Sequence, residues 1–197
     1  MQFVPTLPPE EAARANFYGL LARLFYAAPD AELLQAIAGA EGLDAEEGAM
    51  ALAWQDLAQA SAKADPNTVR DEYDAAFIGT GKSPVTLYTC AYSIKYSNEV
   101  PLVDLKAELA AMGMSRQGDG HEPEDHVAAL CEAMRFLISV KSASLEEQKV
   151  FFERWIWPTA EGLCGAIEKS PATDFYKAVA RFHFQLCAVE HMAFEML

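Results

Sequence analysis

The sequence predicts an all-α fold, a single-domain helical bundle of short and long helices with one long aromatic loop. Apolar residues recur at the i, i+3, i+4, i+7 spacing of a helical face along most of the 197 residues. Helix start signals, either a proline or a capping residue before an acidic turn, stand between these stretches. Paired strand patterns, internal repeats and linkers are not visible. We therefore expect one domain over residues 1–197.

Four helices are predicted before the aromatic loop. Their start signals are Pro8-Pro9-Glu10-Glu11, then Asp30, then Asp44 with Glu47 as an acidic variant of the capping box, and finally Asp65-Pro66. The first helix should end near Pro29, the second at Gly39 or Gly42, and the fourth at about Ile78. Each helix carries apolar side chains for one face, so each is expected to pack against the others rather than stand alone.

Helical signals fail between Gly79 and about Asn98 and then return. Four more helices are predicted, one after Pro101, one over residues 127–141, one from the capping box of Ser144 and Glu147, and one from Thr173 or Asp174. Pro158 should kink or split the helix that begins after Ser144, because proline lacks the N–H that continues a helix.

Charge and composition exclude several classes of protein. The net charge is −14 and no basic cluster offsets it, so a nucleic acid would be repelled. Uncharged runs are too short to span a bilayer, and no signal peptide is visible, so we expect a cytoplasmic protein without stable membrane insertion. The four cysteines are widely spaced in mostly apolar helical patterns, which favours buried reduced thiols over disulfides.

Ionisable side chains are most concentrated in the segment His121-Glu122-Pro123-Glu124-Asp125-His126. Pro123 at a first helical position, with acids in the first turn, is typical of a helix start. A buried stripe should follow, formed by Val127, Leu130, Cys131, Met134, Leu137 and Ile138. A helix start needs one capping group, whereas this segment supplies three acids and two histidines. The acids and histidines that are not needed for capping indicate a functional site.

The spacing of the candidate catalytic and metal-binding residues gives only weak support for an enzyme. The two histidines of this segment are five apart with Pro123 between them, which does not fit a zinc-protease helix. Gly79-Thr80-Gly81-Lys82-Ser83 resembles the end of a phosphate-binding loop, but Ala76 stands where that loop needs glycine. The ladder of His183, Cys187, His191 and Glu195 could hold a metal by spacing alone, without a second ligand cluster. No cofactor and no metal are therefore predicted.

Residues 84–92 form an apolar, aromatic and non-helical segment inside an otherwise helical chain. Such a segment must either fill the core or bind something. The functional interpretation is a groove lined by tyrosines for an extended or helical peptide. An acidic rim from Glu122, Glu124 and Asp125 would suit a ligand with a basic end and an apolar body.

Several strings together resemble a known family. Asp71-Glu72-Tyr73-x-x-x-Phe77, the loop residues Leu87-Tyr88 and Tyr92, and Glu122-Pro123-x-Asp125-His126 are similar to the TorD/DmsD/NarJ-type redox-enzyme maturation chaperones. The last string is the most specific of them. The resemblance extends in outline along most of the chain, including Phe17-Tyr18 near its start.

The resemblance implies a non-catalytic chaperone. Such proteins bind the twin-arginine signal peptide and the apo form of a molybdenum-containing oxidoreductase, assist insertion of its cofactor and delay its export. The peptide-binding residues would be Tyr88, Tyr92, Glu122, Pro123, Asp125 and His126, with Phe77 and Tyr18 as further members. Glu122 and Asp125 would meet the arginines, and the tyrosines would meet the apolar segment. Cys90 departs from the family, in which serine is commoner.

Two other functions stay open on the sequence. The first is a metal- or nucleotide-dependent enzyme that uses the segment His121–His126 or the loop Gly79–Ser83. The second is a structural docking subunit with the aromatic loop as its interface. The sequence also leaves the oligomeric state open between a monomer and a domain-swapped dimer, and it does not identify the client enzyme.

Overall fold

The computed structural model describes residues 7–43, 48–79, 83–93, 101–114 and 123–197. The helices are α1 (Pro9–Tyr26), α2 (Ala31–Ala38), α3 (Ala49–Lys63), α4 (Pro66–Tyr73), α5 (Cys90–Ser93), α6 (Pro101–Ala111), α7 (Val127–Ser139), α8 (Leu145–Phe151), α9 (Trp157–Lys169) and α10 (Phe175–Glu195). Two π-helical turns, Asp74–Ile78 and Phe152–Ile156, continue α4 and α8. Among the described residues no β-strand forms, so the predicted all-α class is confirmed.

The buried core is formed where the longer helices pack against one another. The first helix packs along α7, while α10 packs against α3 and α9. The largest completely buried side chains include Tyr18, Phe25, Phe151, Phe152, Tyr176 and Phe182. All six residues of the predicted α7 stripe are buried. No helix in the described part of the chain is long and apolar enough to cross a membrane.

In the part of the chain that the structure describes, three of the predicted helix N-caps make the expected capping hydrogen bonds. Asp30 accepts a hydrogen bond from the Leu33 N–H, and Asp65 accepts from the N–H groups of Asn67 and Thr68. Ser144 and Glu147 form the reciprocal capping box. The predicted box of Asp44 and Glu47 lies outside the described residues. The short helix α5 is a correction, because it lies within the stretch from Gly79 to about Asn98 that was predicted to be non-helical.

Pro158 was predicted to kink or split its helix, but the helix is not split there, and the turn before Pro158 is widened instead. The Trp157 N–H donates to the Phe152 carbonyl oxygen, one residue beyond the usual α-helical partner. Downstream, the Thr159 hydroxyl donates to the carbonyl oxygens of Ile156, at 2.9 Å, and Trp155, at 3.4 Å. Helical residues therefore run without a break from α8 through the π turn into α9.

The last helix begins at Phe175, and its cap comes from another part of the chain. Asp174 makes no side-chain capping bond. The Glu72 carboxylate in α4 instead accepts from the N–H groups of Asp174 at 2.8 Å, Phe175 at 3.0 Å and Tyr176 at 2.8 Å. The predicted start at Thr173 or Asp174 lies next to the observed N-terminus of α10. The sequence did not predict that Glu72 would be the capping group.

Replacing Glu72 with alanine is expected to lower the free energy of unfolding by about 2 kcal/mol, since three N–H groups at the α10 N-terminus lose their acceptor. The control is Asp71→Ala, which removes an exposed carboxylate from the neighbouring position and should cost less than about 0.5 kcal/mol. Urea unfolding of both variants measures the difference. Equal costs would show that the long-range cap contributes nothing.

Candidate functional site

The aromatic loop pairs directly with the segment that leads into α7. The Thr89 N–H and hydroxyl both donate to the Asp125 carbonyl oxygen, at 2.8 and 3.0 Å. The Val127 N–H donates to the Leu87 carbonyl oxygen at 2.9 Å, and Tyr88 and His126 form an isolated antiparallel bridge. We call residues 85–89 and 123–127 together the loop–helix junction. The two segments that the sequence singled out separately are therefore in contact.

The helix α7 begins at Val127, the first residue of the predicted range, and His126 is its N-cap. The interpretation of Pro123 as a first helical position is wrong. The backbone at Asp125 is occupied by pairing with the loop, so it cannot also continue the helix. Glu124 and Asp125 consequently lie in a turn before α7 and not in its first turn.

His126 and Tyr88 form the outer part of the junction. The His126 Nδ1 accepts a hydrogen bond from the Ala128 N–H at 3.2 Å, so this nitrogen is unprotonated. The Tyr88 ring lies edge-on to the His126 ring, with centroids 5.5 Å apart. His126 is 7% exposed and Tyr88 is 37% exposed. Tyr88 is thus the aromatic side chain of the junction that an incoming molecule can reach.

Asp125 faces inward instead of forming an open rim. It is 5% exposed, and its carboxyl group accepts a hydrogen bond from the Cys90 thiol of α5. Burial, together with the charge and hydrogen bond of Asp125, raises the pKa of Cys90 to about 12. The thiol therefore stays protonated at neutral pH and remains a donor. Cys90, where the sequence differs from the family pattern that it resembles, is therefore a partner of Asp125.

Of the other aromatic residues that were predicted to bind the peptide, only Tyr92 contacts the junction. The Tyr92 hydroxyl donates to the Thr86 carbonyl oxygen at 2.8 Å, and its ring is half-buried against Gly162 of α9. Phe77 is buried against Tyr176, with ring centroids 4.9 Å apart. Tyr18 is completely buried in α1. The structure brings Tyr92 to the junction but keeps Phe77 and Tyr18 in the core.

The acidic turn also contacts α6. The Glu124 carboxylate lies 3.3 Å from the Lys106 Nζ. Further along α6, Glu108 accepts hydrogen bonds from Arg154 at 2.8 Å and from the Trp155 Nε1 at 3.0 Å. The sequence assigned neither Lys106 nor Glu108 a role, since neither lies in a motif. His121 and Glu122 lie outside the described residues, as do the predicted loop at 116–120 and Thr80–Lys82 of the phosphate-loop candidate.

The alternative chemistry finds little support among the described residues. No three of their His, Cys, Asp or Glu side chains are grouped as a metal site. In the α10 ladder His183 is buried with its Nδ1 3.6 Å from the Cys164 Sγ, whereas His191 stacks on Trp157. The four cysteines are buried and free, as predicted. Ahead of Gly79 the chain is helical, not the strand that an ordinary phosphate-binding loop requires.

A cleft of about 440 Å³ lies elsewhere, between α3, α4 and the start of α10. Charged groups of both signs line it, among them Lys63, Asp65, Glu72, Asp174 and Arg181. Arg181 is already paired with Asp56 at 2.6 Å, and Glu72 and Asp65 cap helices. None of the lining residues belongs to the loop–helix junction.

Fold and junction together define a class: an all-α protein in which an aromatic loop is paired to the start of a buried helix. A solved structure has the same fold, with a TM-score of 0.55, 17% sequence identity, and coverage of 93% of this chain and 96% of the other. That structure is of a protein from Archaeoglobus fulgidus described as a redox enzyme maturation protein.

The particular family follows from the sequence comparison. The model of the nitrate reductase delta subunit family matches residues 41–164, which include the aromatic loop and the acidic motif. The chain belongs to this family. Among curated proteins, none matches the chain.

Proposed function

We propose that the protein is a cytoplasmic, non-catalytic chaperone for a redox enzyme. Its client would be the apo form of a molybdenum-containing oxidoreductase with a twin-arginine signal peptide. By holding this peptide the chaperone would delay export until the cofactor is inserted. Membership of the nitrate reductase delta subunit family supports the maturation role. The description of the structural neighbour as a redox enzyme maturation protein agrees with it.

The observation that carries the proposal is the exposed Tyr88 ring, edge-on to His126 and next to an acidic turn. A twin-arginine leader has a cationic head and an apolar body. An aromatic face beside carboxylates matches both parts, and a net charge of −14 attracts the head. Tyr88 would contact the apolar body, with Pro123 and His126 beside it and Glu122 toward the arginines. Asp125 and Tyr92 would hold the loop in place.

Tyr88→Ala is expected to weaken binding of a synthetic leader peptide about ten-fold, equivalent to about 1.4 kcal/mol, because an exposed aromatic contact is lost. The measurement is isothermal titration calorimetry with a peptide that contains an Arg-Arg pair and its apolar segment. The control is Tyr26→Ala, since Tyr26 is a 68% exposed tyrosine outside the junction. If both variants bind like the parent, Tyr88 is not a contact; if the parent does not bind, the leader-binding proposal fails.

A further inference from the structure

The two carboxylates that the structure describes in the acidic motif differ in access. Asp125 is 5% exposed and hydrogen-bonded to the Cys90 thiol. Glu124 has a side chain that is 24% exposed. A cation arriving from solvent therefore meets Glu124 before Asp125. Glu124 is also the position that the family motif leaves unspecified, so its role belongs to this chain.

Glu124 already has a cationic partner inside the protein. The Lys106 Nζ of α6 lies 3.3 Å from the Glu124 Oε2, and the Lys106 side chain is 52% exposed. The helix is held in place independently of this pair, through the completely buried Leu105 and through the hydrogen bonds of Glu108 to Arg154 and Trp155. Lys106 can therefore leave Glu124 without releasing α6.

We infer that Glu124 is a receptor for a leader arginine and that Lys106 occupies it in the free protein as an internal counterion. This inference rests on the proposed function and adds a competition to it. On binding, a guanidinium group replaces the Lys106 ammonium at the Glu124 carboxylate. Lys106 then returns to water.

The energies allow such an exchange. An ion pair with one half-exposed partner is weak, because water screens it and the long lysine side chain loses freedom in it. Arginine presents a planar fork of donors that matches a carboxylate, whereas the lysine ammonium is a strongly hydrated point charge. The exchange therefore favours a peptide that carries arginine. The cost of displacing Lys106 lowers the affinity of the parent protein below that of a variant without Lys106.

Lys106→Gln is expected to bind the twin-arginine leader peptide about two- to five-fold more tightly than the parent, since the competitor is removed. Lys169→Gln is the matched control. It removes one positive charge from an exposed position in the last turn of α9, and its affinity should equal that of the parent within error. Calorimetric titration measures each dissociation constant, and a thermal melt establishes that each variant is folded.

Two further variants isolate the pair. Glu124→Gln should weaken binding, and adding Lys106→Gln to it should change nothing further. A peptide with glutamine at both arginine positions should not distinguish Lys106→Gln from the parent. The inference is overturned if Lys106→Gln binds no more tightly than the parent, if Lys169→Gln gains as much, or if the gain persists with Glu124→Gln. Loss of binding by the parent protein would instead refute the proposed function.

Discussion

Arg14→Met should lower the free energy of unfolding by about 4 kcal/mol, because it leaves a buried carboxylate without its counterion. Arg14 forms a bidentate pair with Glu190 of α10, at 2.7 and 2.6 Å, and the Tyr18 hydroxyl donates to the same carboxylate at 3.1 Å. Glu190 is 3% exposed. Burial alone would lower the pKa of Arg14, but hydrogen bonds to Glu190 and its charge raise it above its usual value. Chemical denaturation gives the change.

The matched control for this prediction lies on the same helix. Arg23 pairs with Asp30 at 3.1 Å, but both side chains are more than half exposed, so Arg23→Met should cost less than about 1 kcal/mol. Adding Glu190→Gln to Arg14→Met should recover more than half of the loss, because the buried charge is then gone while an acceptor for Tyr18 remains. Equal costs for the two arginine variants would contradict a buried-pair role.

The second large effect concerns acid stability. Burial lowers the pKa of His183 to about 4, whereas an unfolded histidine titrates near 6.5. Between these values the unfolded chain binds a proton that the folded protein refuses, so stability falls as the pH is lowered through this window. The loss is about 1.4 kcal/mol per pH unit and about 3 kcal/mol by pH 4. Unfolding by urea at a series of pH values from 7 to 4 measures it.

Comparison of two histidine variants separates this contribution from the carboxylates that also titrate in acid. His183→Leu removes the buried imidazole, which contacts the Phe25 ring and the Cys164 thiol, and should flatten the fall in stability between pH 6.5 and 4. His191→Leu removes a partly exposed histidine from the same helix and leaves His183 in place, so the steep fall should persist. An unchanged fall in His183→Leu would assign acid sensitivity to other groups.

Much of the fold could be predicted because its signals are local. The Asp30 and Asp65 caps and the Ser144 capping box each act within two or three residues of their own position. The apolar stripe of α7 repeats with the helical period, and all of it is buried. A disturbance of the helix at Pro158 could be predicted from the missing N–H of proline, although its form, a widened turn, could not.

The candidate site was predicted only in part. The sequence identified the aromatic loop and the acidic motif, and the pairing of Thr89 with Asp125 brings them together across 36 positions. It could not show that Asp125 faces inward to Cys90 or that Phe77 and Tyr18 lie in the core. Side-chain direction at a loop depends on which backbone groups the opposing segment occupies, and no spacing rule contains that information.

By itself, then, the sequence determined the longer helices, their local caps and the two segments of the junction, because hydrogen bonds and periodicity within a few residues decide those features. Tertiary structure alone decided the Glu72 cap of α10, over 102–104 positions, and the pair of Arg14 with Glu190, over 176. It also decided that Glu124 is more exposed to solvent than Asp125. Such partners are chosen by how the helices pack, since a buried polar group must find its counterpart wherever packing has brought one.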